Sequence, residues 1–182
     1  MILVFGKSGQ VATDLQRSKD VIALSREDVN LLNPQHCIDA IRIYAPQAVI
    51  NAAAYTAVDE AEKDEHTATI INAYAPVAMA QGCAELGIPL VHISTDYVFD
   101  GTSDLFYVED DKTNPQSVYG ETKLRGELAI QSTACKYIII RTAWVFSEYG
   151  NNFLTKMLSL ASKQEELSVV GDQIGQPTYC QE

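Results

Sequence analysis

The sequence predicts an α/β fold in which helices cover both faces of a doubly wound parallel sheet. Short apolar runs of strand length alternate with longer stretches of helical periodicity along the chain. Glycine and proline separate many of these segments, as expected where strands and helices end. The 182 residues are 47% hydrophobic, enough to bury one sizeable core, and no change in composition marks a linker. We therefore expect one domain over residues 1–182.

Six apolar runs are the predicted strands. In chain order they are Ile2–Phe5, Val21–Leu24, Ala48–Ile50, Leu90–Ser94, Tyr137–Arg141 and Leu167–Val170. Strands that are joined through helices run parallel, because the crossover between them is right-handed. A parallel sheet is covered on both faces, which agrees with runs that are continuously apolar.

The segments between these runs supply the predicted helices. In chain order they are Gly9–Arg17, Pro34–Tyr44, Val58–Leu86, Val118–Gln131 and Asn152–Ser162. Val11 and Leu15 lie one turn apart on the first helix, and Pro34 suits the first turn of the second. Gly87 ends the third helix. Pro76 is expected to break or kink it, because proline cannot donate the helical hydrogen bond.

The charge and the cysteines exclude several classes of protein. With 24 acidic residues against 13 basic ones, the net charge is −11, which argues against broad binding to nucleic acid or to an anionic membrane. Four cysteines form no C-x-x-C pair and only three histidines accompany them, so we expect free thiols and no metal site. No apolar stretch approaches the ~20 residues of a membrane span. A cytoplasmic protein is expected.

Four strand ends carry unusual sequences. These ends are Gly6–Val11, Asn51–Asp59, Ser94–Phe99 and Arg141–Phe146. In an open parallel sheet, ligands bind outside the carboxyl ends of the strands. The four segments are therefore predicted to meet at one binding site.

The first of these segments is a glycine loop, Gly6-Lys7-Ser8-Gly9-Gln10-Val11-Ala12. Glycines at such a strand–helix turn let the backbone approach a pyrophosphate, although an ordinary turn is the alternative. The second strand runs into Ser25 and Arg26, a hydroxyl and a guanidinium that suit a 2′-phosphate. NADPH is therefore favoured over NADH, unless Arg26 is only a solvated surface charge.

Tyr119 and Lys123 are one helical turn apart near the start of a predicted helix. A lysine ammonium beside a tyrosine favours the phenolate, so we expect Lys123 to lower the pKa of Tyr119. Thr95 follows the fourth strand and offers a hydroxyl to a substrate carbonyl. Alone, the Tyr–Lys pair is typical of a helix surface. Its combination with the glycine loop and Thr95 favours catalysis.

These motifs resemble the dTDP-4-dehydrorhamnose reductase family of the extended short-chain dehydrogenase/reductase superfamily. The resemblance spans the chain and implies a Rossmann-type fold. The segments that carry it are Phe5–Val11, Asn51–Asp59, Ser94–Gly101, Val118–Lys123, Arg141–Phe146 and Gly175–Thr178. It implies NADPH-dependent reduction of the C4 ketone of dTDP-4-dehydro-L-rhamnose. NADH remains an alternative, and a need for Mg²⁺ and a homodimer of the full-length protein are left open.

The resemblance also implies roles for individual residues. Tyr119 would donate a proton, with Lys123 and Thr95 as its partners in catalysis. Thr95, Asp96 and Trp144 would contact the sugar nucleotide, with a core tryptophan after the fifth strand as the alternative for Trp144. The residues that would bind the cofactor, besides Tyr119 and Lys123, are Gly6, Gly9, Gln10, Val11, Arg26, Asn30, Leu31, Ala54, Tyr55 and Thr56. Asn72 lies near the superfamily's structural asparagine, but Pro76 is expected to disturb its register.

The residues at and after Thr95-Asp96 distinguish a reductase from related dehydratases and epimerases. Dehydratases of this type carry an acid there, whereas this chain has Tyr97, and epimerases tend to have small residues in place of Thr95 and Asp96. The alternatives are another sugar-nucleotide reductase or epimerase, or a nucleotide-binding regulatory subunit resembling the methionine adenosyltransferase beta subunit. Family members continue past Thr178 into a smaller substrate domain. We therefore expect a truncated form with weak or absent turnover.

Overall fold

A five-stranded parallel sheet is the centre of the computed structural model, which describes residues 1–181. The strand order is β2-β1-β3-β4-β5. The strands are β1 (Ile2–Phe5), β2 (Val21–Leu24), β3 (Ala48–Asn51), β4 (Pro89–Thr95) and β5 (Lys136–Thr142). The predicted Rossmann-type α/β architecture and the first five predicted strands are therefore confirmed.

Seven α-helices are present in residues 1–181. They are α1 (Gln10–Leu15), α2 (Gln35–Tyr44), α3 (Val58–Ala61), α4 (Glu65–Thr69), α5 (Ala75–Leu86), α6 (Val118–Gln131) and α7 (Phe153–Ala161). Helices α2, α5 and α6 pack side by side as one layer. From β1 the chain crosses to β2 at one edge of the sheet. Every later connection crosses in the opposite direction, towards β5 at the other edge. Right-handed crossovers therefore place α1 on the opposite face.

The reversal of strand order at β1 positions the site. Strand β1 pairs with β2 on one side and with β3 on the other. A crevice opens at such a switch point, because the connections leave the carboxyl ends of neighbouring strands in opposite directions. Beneath it, Leu3, Val49, Leu90 and Met79 are fully buried in the core between the sheet and the α2–α5–α6 layer.

Pro76 does not interrupt its helix, contrary to expectation. The chain is helical from Glu65 to Leu86, with a π-helical turn at Ile70–Tyr74 between α4 and α5. Pro76 is the second residue after that turn, where the hydrogen-bond pairing has already shifted by one residue, so its missing N–H disrupts little. The break in the predicted helix lies earlier, at residues 62–64. There Asp64 accepts a hydrogen bond from the Thr67 N–H and starts α4.

The predicted strand Leu167–Val170 is wrong. This run has no regular structure, and Val169 and Val170 are 54% and 66% exposed. A strand needs a hydrogen-bonded neighbour and a covered face, and an apolar run alone does not supply either. The chain instead forms a two-stranded parallel pair of β6 (Val145–Phe146) and β7 (Thr178–Tyr179). Among residues 1–181, no helix combines the length and the apolar character needed to cross a membrane.

Candidate active site

A cleft of about 540 Å³ opens at the carboxyl edge of the sheet. Pockets of a few hundred to about 1,000 Å³ are typical of small-molecule sites. All four unusual strand ends line it, so the prediction that they meet is confirmed. They contribute residues 8–11, 52–54, 56, 58, 93–97 and 142–145, and α6 adds Tyr119 and Lys123. A second hollow of about 470 Å³, between α5 and the turn after α6, carries none of the predicted site residues.

Ten of the fifteen predicted site residues line this cleft. They are Gly9, Gln10, Val11, Ala54, Thr56, Thr95, Asp96, Tyr119, Lys123 and Trp144. The other five, Gly6, Arg26, Asn30, Leu31 and Tyr55, lie outside the lining. The structure thus brings together the residues predicted for proton transfer and sugar contact, and only part of the predicted cofactor set.

Four of the five outlying residues have identifiable surroundings, and the fifth, Gly6, belongs to the glycine loop. Arg26 is exposed just after β2. The Asn30 side chain accepts the N–H of Leu32 in a local turn, and Leu31 packs against the core. The backbone N–H and C=O of Tyr55 are both held by the side chain of Asn72.

The glycine loop has the backbone geometry that its sequence predicts. Gly6 has φ +100°, and a Cβ there would lie 3.2 Å from the backbone of Ala52, so only glycine fits. Gly9 precedes α1 in extended conformation, and a Cβ there would meet nothing within 4 Å. The loop therefore leaves open space above Gly9 at the start of α1.

Gln10 ties this loop to a distant part of the chain. Its Nε2 donates to the Val145 carbonyl at 3.3 Å, and its Oε1 accepts from Asn152 Nδ2 at 2.8 Å. Asn152 also caps α7 by accepting the Thr155 N–H. This contact cannot be predicted from the sequence, because no local pattern links residues 142 positions apart.

Burial raises the pKa of Tyr119, and hydrogen bonding with Thr95 opposes that rise. The negative charge of Asp96 and the neighbouring Tyr97 raise it further. Burial also raises the pKa of Asp96. The expected lowering of the Tyr119 pKa by Lys123 is therefore wrong for this structure. Tyr119 is therefore a neutral phenol at neutral pH.

Lys123 points towards the sheet. Its Nζ donates to the Ile93 carbonyl at 2.6 Å and lies 3.3 Å from His92 Nε2. The residue is 1% exposed. Burial lowers the pKa of Lys123 to about 8, although the carboxylate of Glu127 acts in the opposite direction. The Lys123 Nζ is therefore hydrogen-bonded to β4, and Lys123 is not among the groups that shift the pKa of Tyr119.

A buried ion pair stands one turn further along α6. Glu127 is 1% exposed and receives two parallel hydrogen bonds from Arg141, with Nη2 to Oε2 at 2.7 Å. The Ser94 hydroxyl also donates to Glu127. Sequence analysis missed this group, although the four-residue spacing of Tyr119, Lys123 and Glu127 indicates one helix face.

Asn72, which is not among the predicted site residues, also has a structural part in the cleft. It is 1% exposed at the centre of the π-helical turn, and its Nδ2 donates to Thr122 Oγ1 at 3.1 Å. With its bonds to Tyr55, Asn72 joins the loop after β3 to α6. It thereby fixes two walls of the cleft relative to each other.

Trp144 lies in the wall of the cleft and is 49% exposed, so it is not a core residue. Its φ of +47° is unusual for a residue with a side chain. A Cβ added at Gly175 would overlap with the indole ring, which shows how closely that backbone passes the ring. The ring offers a flat apolar surface to the cleft.

Comparison with known proteins agrees with the motifs. The family model described as "RmlD substrate binding domain" matches residues 1–182. The dTDP-4-dehydrorhamnose reductase of Sinorhizobium fredii is 44% identical over 181 residues, covering 97% of this chain and 61% of the relative. That of Escherichia coli K12 is 44% identical over 185 residues, covering 97% and 62%. The chain thus spans about three fifths of the length of these curated relatives.

Solved structures match as well. A dTDP-4-dehydrorhamnose reductase from Clostridium acetobutylicum superimposes with a TM-score of 0.94 at 40% identity, covering 99% of this chain and 66% of the other. The enzyme of that name from Bacillus anthracis, in complex with NADP, has a TM-score of 0.94 at 36% identity, covering 98% and 66%. From its fold, its motifs and these matches, the chain belongs to the RmlD substrate binding domain family.

Proposed function

We propose that this chain supplies the cofactor-binding and proton-transfer site of a reductase. The reaction is NADPH-dependent reduction of the C4 ketone of dTDP-4-dehydro-L-rhamnose to dTDP-L-rhamnose. One observation carries the proposal: a single cleft holds Thr95, Tyr119 and Lys123 opposite the glycine loop. Relatives at 44% identity that are named dTDP-4-dehydrorhamnose reductase support the choice of substrate.

The residues present fit a dinucleotide. The open space above Gly9 leaves room for a pyrophosphate beside the first amides of α1, and Ala54 and Thr56 line the next part of the cleft. Arg26 is exposed after β2, and its guanidinium would pair with the negative charge of a 2′-phosphate. The NADP complex of the Bacillus anthracis relative supports NADPH over NADH. When bound, the dihydronicotinamide supplies the hydride that the ketone carbon accepts.

The chain's own residues would supply the proton. Tyr119 is a neutral phenol because burial raises its pKa, and it would donate to the ketone oxygen as the C4–O bond becomes an alcohol. Thr95 Oγ1 lies beside Asp96 Oδ1 at 3.1 Å and would orient the same oxygen by hydrogen bonding. Trp144 would pack against the deoxysugar ring.

A binding assay and a turnover assay test this proposal separately. We expect NADPH to change the fluorescence of the chain's single tryptophan, Trp144, and to bind more tightly than NADH does. We expect NADPH oxidation only when the keto-sugar nucleotide is added. Reduction of unrelated ketones at equal rate, or absence of any dinucleotide binding, would contradict the proposal. Co-purification with a synthetase, without binding of the sugar nucleotide, would indicate a regulatory subunit.

The substrates also bear on location. NADPH and a nucleotide sugar are both soluble and charged, so a reaction between them is expected in the cytoplasm. Fractionation of cells that express the chain at its natural level tests this expectation.

A further inference from the structure

The segment Gly175–Thr178, called the strap below, lies behind one wall of the cleft. Of the six motifs that carry the family resemblance, it is the only one that adds no residue to the cleft lining. Residues 171–177 are exposed and have no regular structure. The strap nevertheless touches the cleft wall, because the backbone of Gly175 lies against the indole ring of Trp144.

The backbone of Gly175 covers one face of that ring. A Cβ added at Gly175 would lie 2.5 Å from Cε2 of Trp144 and 2.8 Å from each of the atoms bonded to it, Cζ2 and Nε1. An atom approaching Cε2 from outside, in the plane of the ring, would come closer to these two neighbours than to Cε2 itself. Since Cε2 is the nearest atom, the added Cβ would lie over the ring face. Only a residue without a Cβ allows this approach.

The opposite face of the indole is left for the cleft. Trp144 lines the cleft and is 49% exposed. Its φ of +47° is strained for a residue with a side chain, and such a backbone persists only where its surroundings hold it. Here the Thr178 N–H donates to the Trp144 carbonyl at 3.3 Å, and Gln10 Nε2 donates to the Val145 carbonyl at 3.3 Å. The ring is thus held from the strap and from the glycine loop.

The strap is stiff between its fixed end and the ring. Thr178 pairs with Val145 in the β6–β7 ladder, and the hydroxyl of Thr142 donates to that of Thr178 at 3.0 Å. Pro177 has a fixed φ, and it restricts Gln176 before it to extended conformations. Gly175 is therefore placed over the ring by three residues of limited freedom, before any ligand binds.

We propose that Gly175 is a positioning residue for ligand recognition, whose backbone covers one face of the Trp144 indole and so presents the other face to the cleft. That the ligand there is a deoxysugar nucleotide rests on the proposed function. A flat apolar ring binds a sugar face most strongly when it is already held in place, because no freedom is lost on binding. Gly175 has no side chain of its own, so it affects binding through Trp144 and leaves Tyr119 and Thr95 unchanged.

The first test uses the fluorescence of Trp144, the single tryptophan of the 182-residue chain. In Gly175→Ala the methyl group separates the ring from the strap, whichever of the two moves. We expect a larger acrylamide quenching constant and an emission maximum at longer wavelength, because the indole loses its cover. Gly171→Ala, whose added Cβ meets nothing within 4 Å, is the control and should match the wild type. An unchanged Gly175→Ala, or equal changes in both variants, would overturn the proposal.

A second variant loosens the strap without adding an atom near the ring. Pro177→Gly keeps Gly175 but frees the backbone between it and Thr178. We expect acrylamide quenching of Trp144 to increase here too. Unchanged quenching would show that the strap does not hold the ring, and would overturn the proposal even if Gly175→Ala failed to fold.

Steady-state kinetics test the use of the ring in a full-length protein that carries this chain. In Gly175→Ala we expect the KM for the keto-sugar nucleotide to rise about tenfold, with kcat and the KM for NADPH within about twofold. In a Trp144→Ala background, Gly175→Ala should add little, since no ring remains to be displaced. A fall in kcat alone, or an equal effect in both backgrounds, would overturn the proposal. Absence of turnover before any substitution would contradict the proposed function, whereas the fluorescence tests would still decide whether Gly175 holds the ring.

Discussion

At the residue scale, Tyr119 faces the cleft as a neutral phenol, and Lys123 turns its Nζ away to the Ile93 carbonyl of β4. Spacing alone predicts that the two residues share a helix face, and that prediction is confirmed by their common place in the cleft lining. Spacing does not predict the direction in which the Lys123 side chain turns. The hydrogen bond to the Ile93 carbonyl and the contact with His92 decide it. The protonation states of Tyr119 and Lys123 therefore depend on contacts between α6, strand β4 and the turn that follows β4.

Replacing Tyr119 with Phe removes the proposed proton donor and little else. Without the phenol, the developing alkoxide has only Thr95 as a donor. In a full-length protein that carries this chain, we expect the steady-state rate of NADPH oxidation with the keto-sugar nucleotide to fall about 10²-fold or more. NADPH affinity, measured by fluorescence titration, is expected to stay within about twofold. Tyr44→Phe on α2, the same change far from the cleft, is the control. Retained turnover in Tyr119→Phe would remove this residue from the mechanism.

Lys123 predicts a pH dependence of stability whose sign can be worked out. Its pKa is about 8 in the folded chain and about 10.5 when unfolded, so between these values only the unfolded chain keeps the proton. Below pH 8 the folded chain carries the full cost of a buried ammonium, and this cost is relieved as the pH rises to 10.5. Lys123→Met has no such titration. The free energy of unfolding of the wild type, relative to Lys123→Met, should rise over this window by up to about 3 kcal/mol.

Urea denaturation at pH 7, 8, 9 and 10.5 measures this difference. Tyrosine and cysteine titrations occur in both proteins and cancel in the comparison. Lys63→Met is the control for loss of one positive charge, since Lys63 is largely exposed on the surface beside Glu60. A wild-type to Lys123→Met difference that is flat from pH 7 to 10.5 would show that the folded lysine titrates as an ordinary one.

At the scale of elements, α6 approaches its neighbours through two glycines. A Cβ at Gly126 would overlap with the carbonyl oxygen of Asn72, and one at Gly120 with that of Tyr97. The carbonyl of Asn72 lies in the π-helical turn just before Pro76, where the i+4 amide that normally covers it is absent. Gly126 therefore allows α6 to pack closely against the π-helical turn, and Gly120 allows it to pack against Tyr97. Both contacts help to position Tyr119 and Lys123 on α6.

Gly126→Ala should destabilise the chain although alanine is the better helix former. In an open helix the change stabilises by about 1 kcal/mol, whereas here the methyl group collides with backbone that cannot move aside. We expect a net loss of about 2 kcal/mol or more in the free energy of unfolding, measured with denaturant. Gly171→Ala, at a site with nothing within 4 Å of the added Cβ, should be nearly neutral. Equal effects of the two substitutions would contradict the close approach.

The elements show how far a sequence can be interpreted. Helix α6 begins and ends where the sequence predicts, because Ser117 caps it and a polar loop precedes it. The Leu167–Val170 run looks the same locally as the true strands, but nothing in residues 1–181 pairs with it or covers it. Pro76 misled the prediction for a different reason: a π-helical turn depends on packing against α6, and no local pattern shows it. Local rules fail here where the outcome depends on a distant neighbour.

At the scale of the whole molecule, the net charge of −11 must be reconciled with anionic ligands. An acidic chain repels a dinucleotide and a sugar nucleotide at long range, so binding depends on donors close to the ligands. The cleft collects such donors at the glycine loop, and Arg26 is exposed after β2, outside the cleft lining. We expect NADPH binding to strengthen with moderate salt, because screening weakens the general repulsion. Isothermal titration at 20 and 200 mM NaCl checks this, and weaker binding at high salt would indicate a dominant local cation.

Through the contact between Gln10 and Asn152, the position of the glycine loop depends on the segment that precedes α7. Asn152 has two separate functions: its Oδ1 caps α7, and its Nδ2 donates to Gln10 and to the Ser147 carbonyl. Asn152→Ser keeps a capping oxygen but loses both donations. Each lost hydrogen bond is worth about 1 kcal/mol. The loop of residues 147–151 should therefore open at least about ten times as often as in the wild type.

Amide hydrogen exchange resolves these two functions, because it reports opening segment by segment. In Asn152→Ser we expect faster exchange in residues 147–151 and in the first turn of α1, with α7 unchanged. Thr155→Ala is the matched opposite, since it removes the reciprocal half of the capping box and leaves the contact with Gln10 in place. It should loosen the start of α7 and residue 150, whose carbonyl also accepts from Thr155 Oγ1 at 3.3 Å, and leave the first turn of α1 unchanged. If Asn152→Ser changes only α7, the glycine loop does not depend on residue 152, and the cleft is held by the sheet ends by themselves.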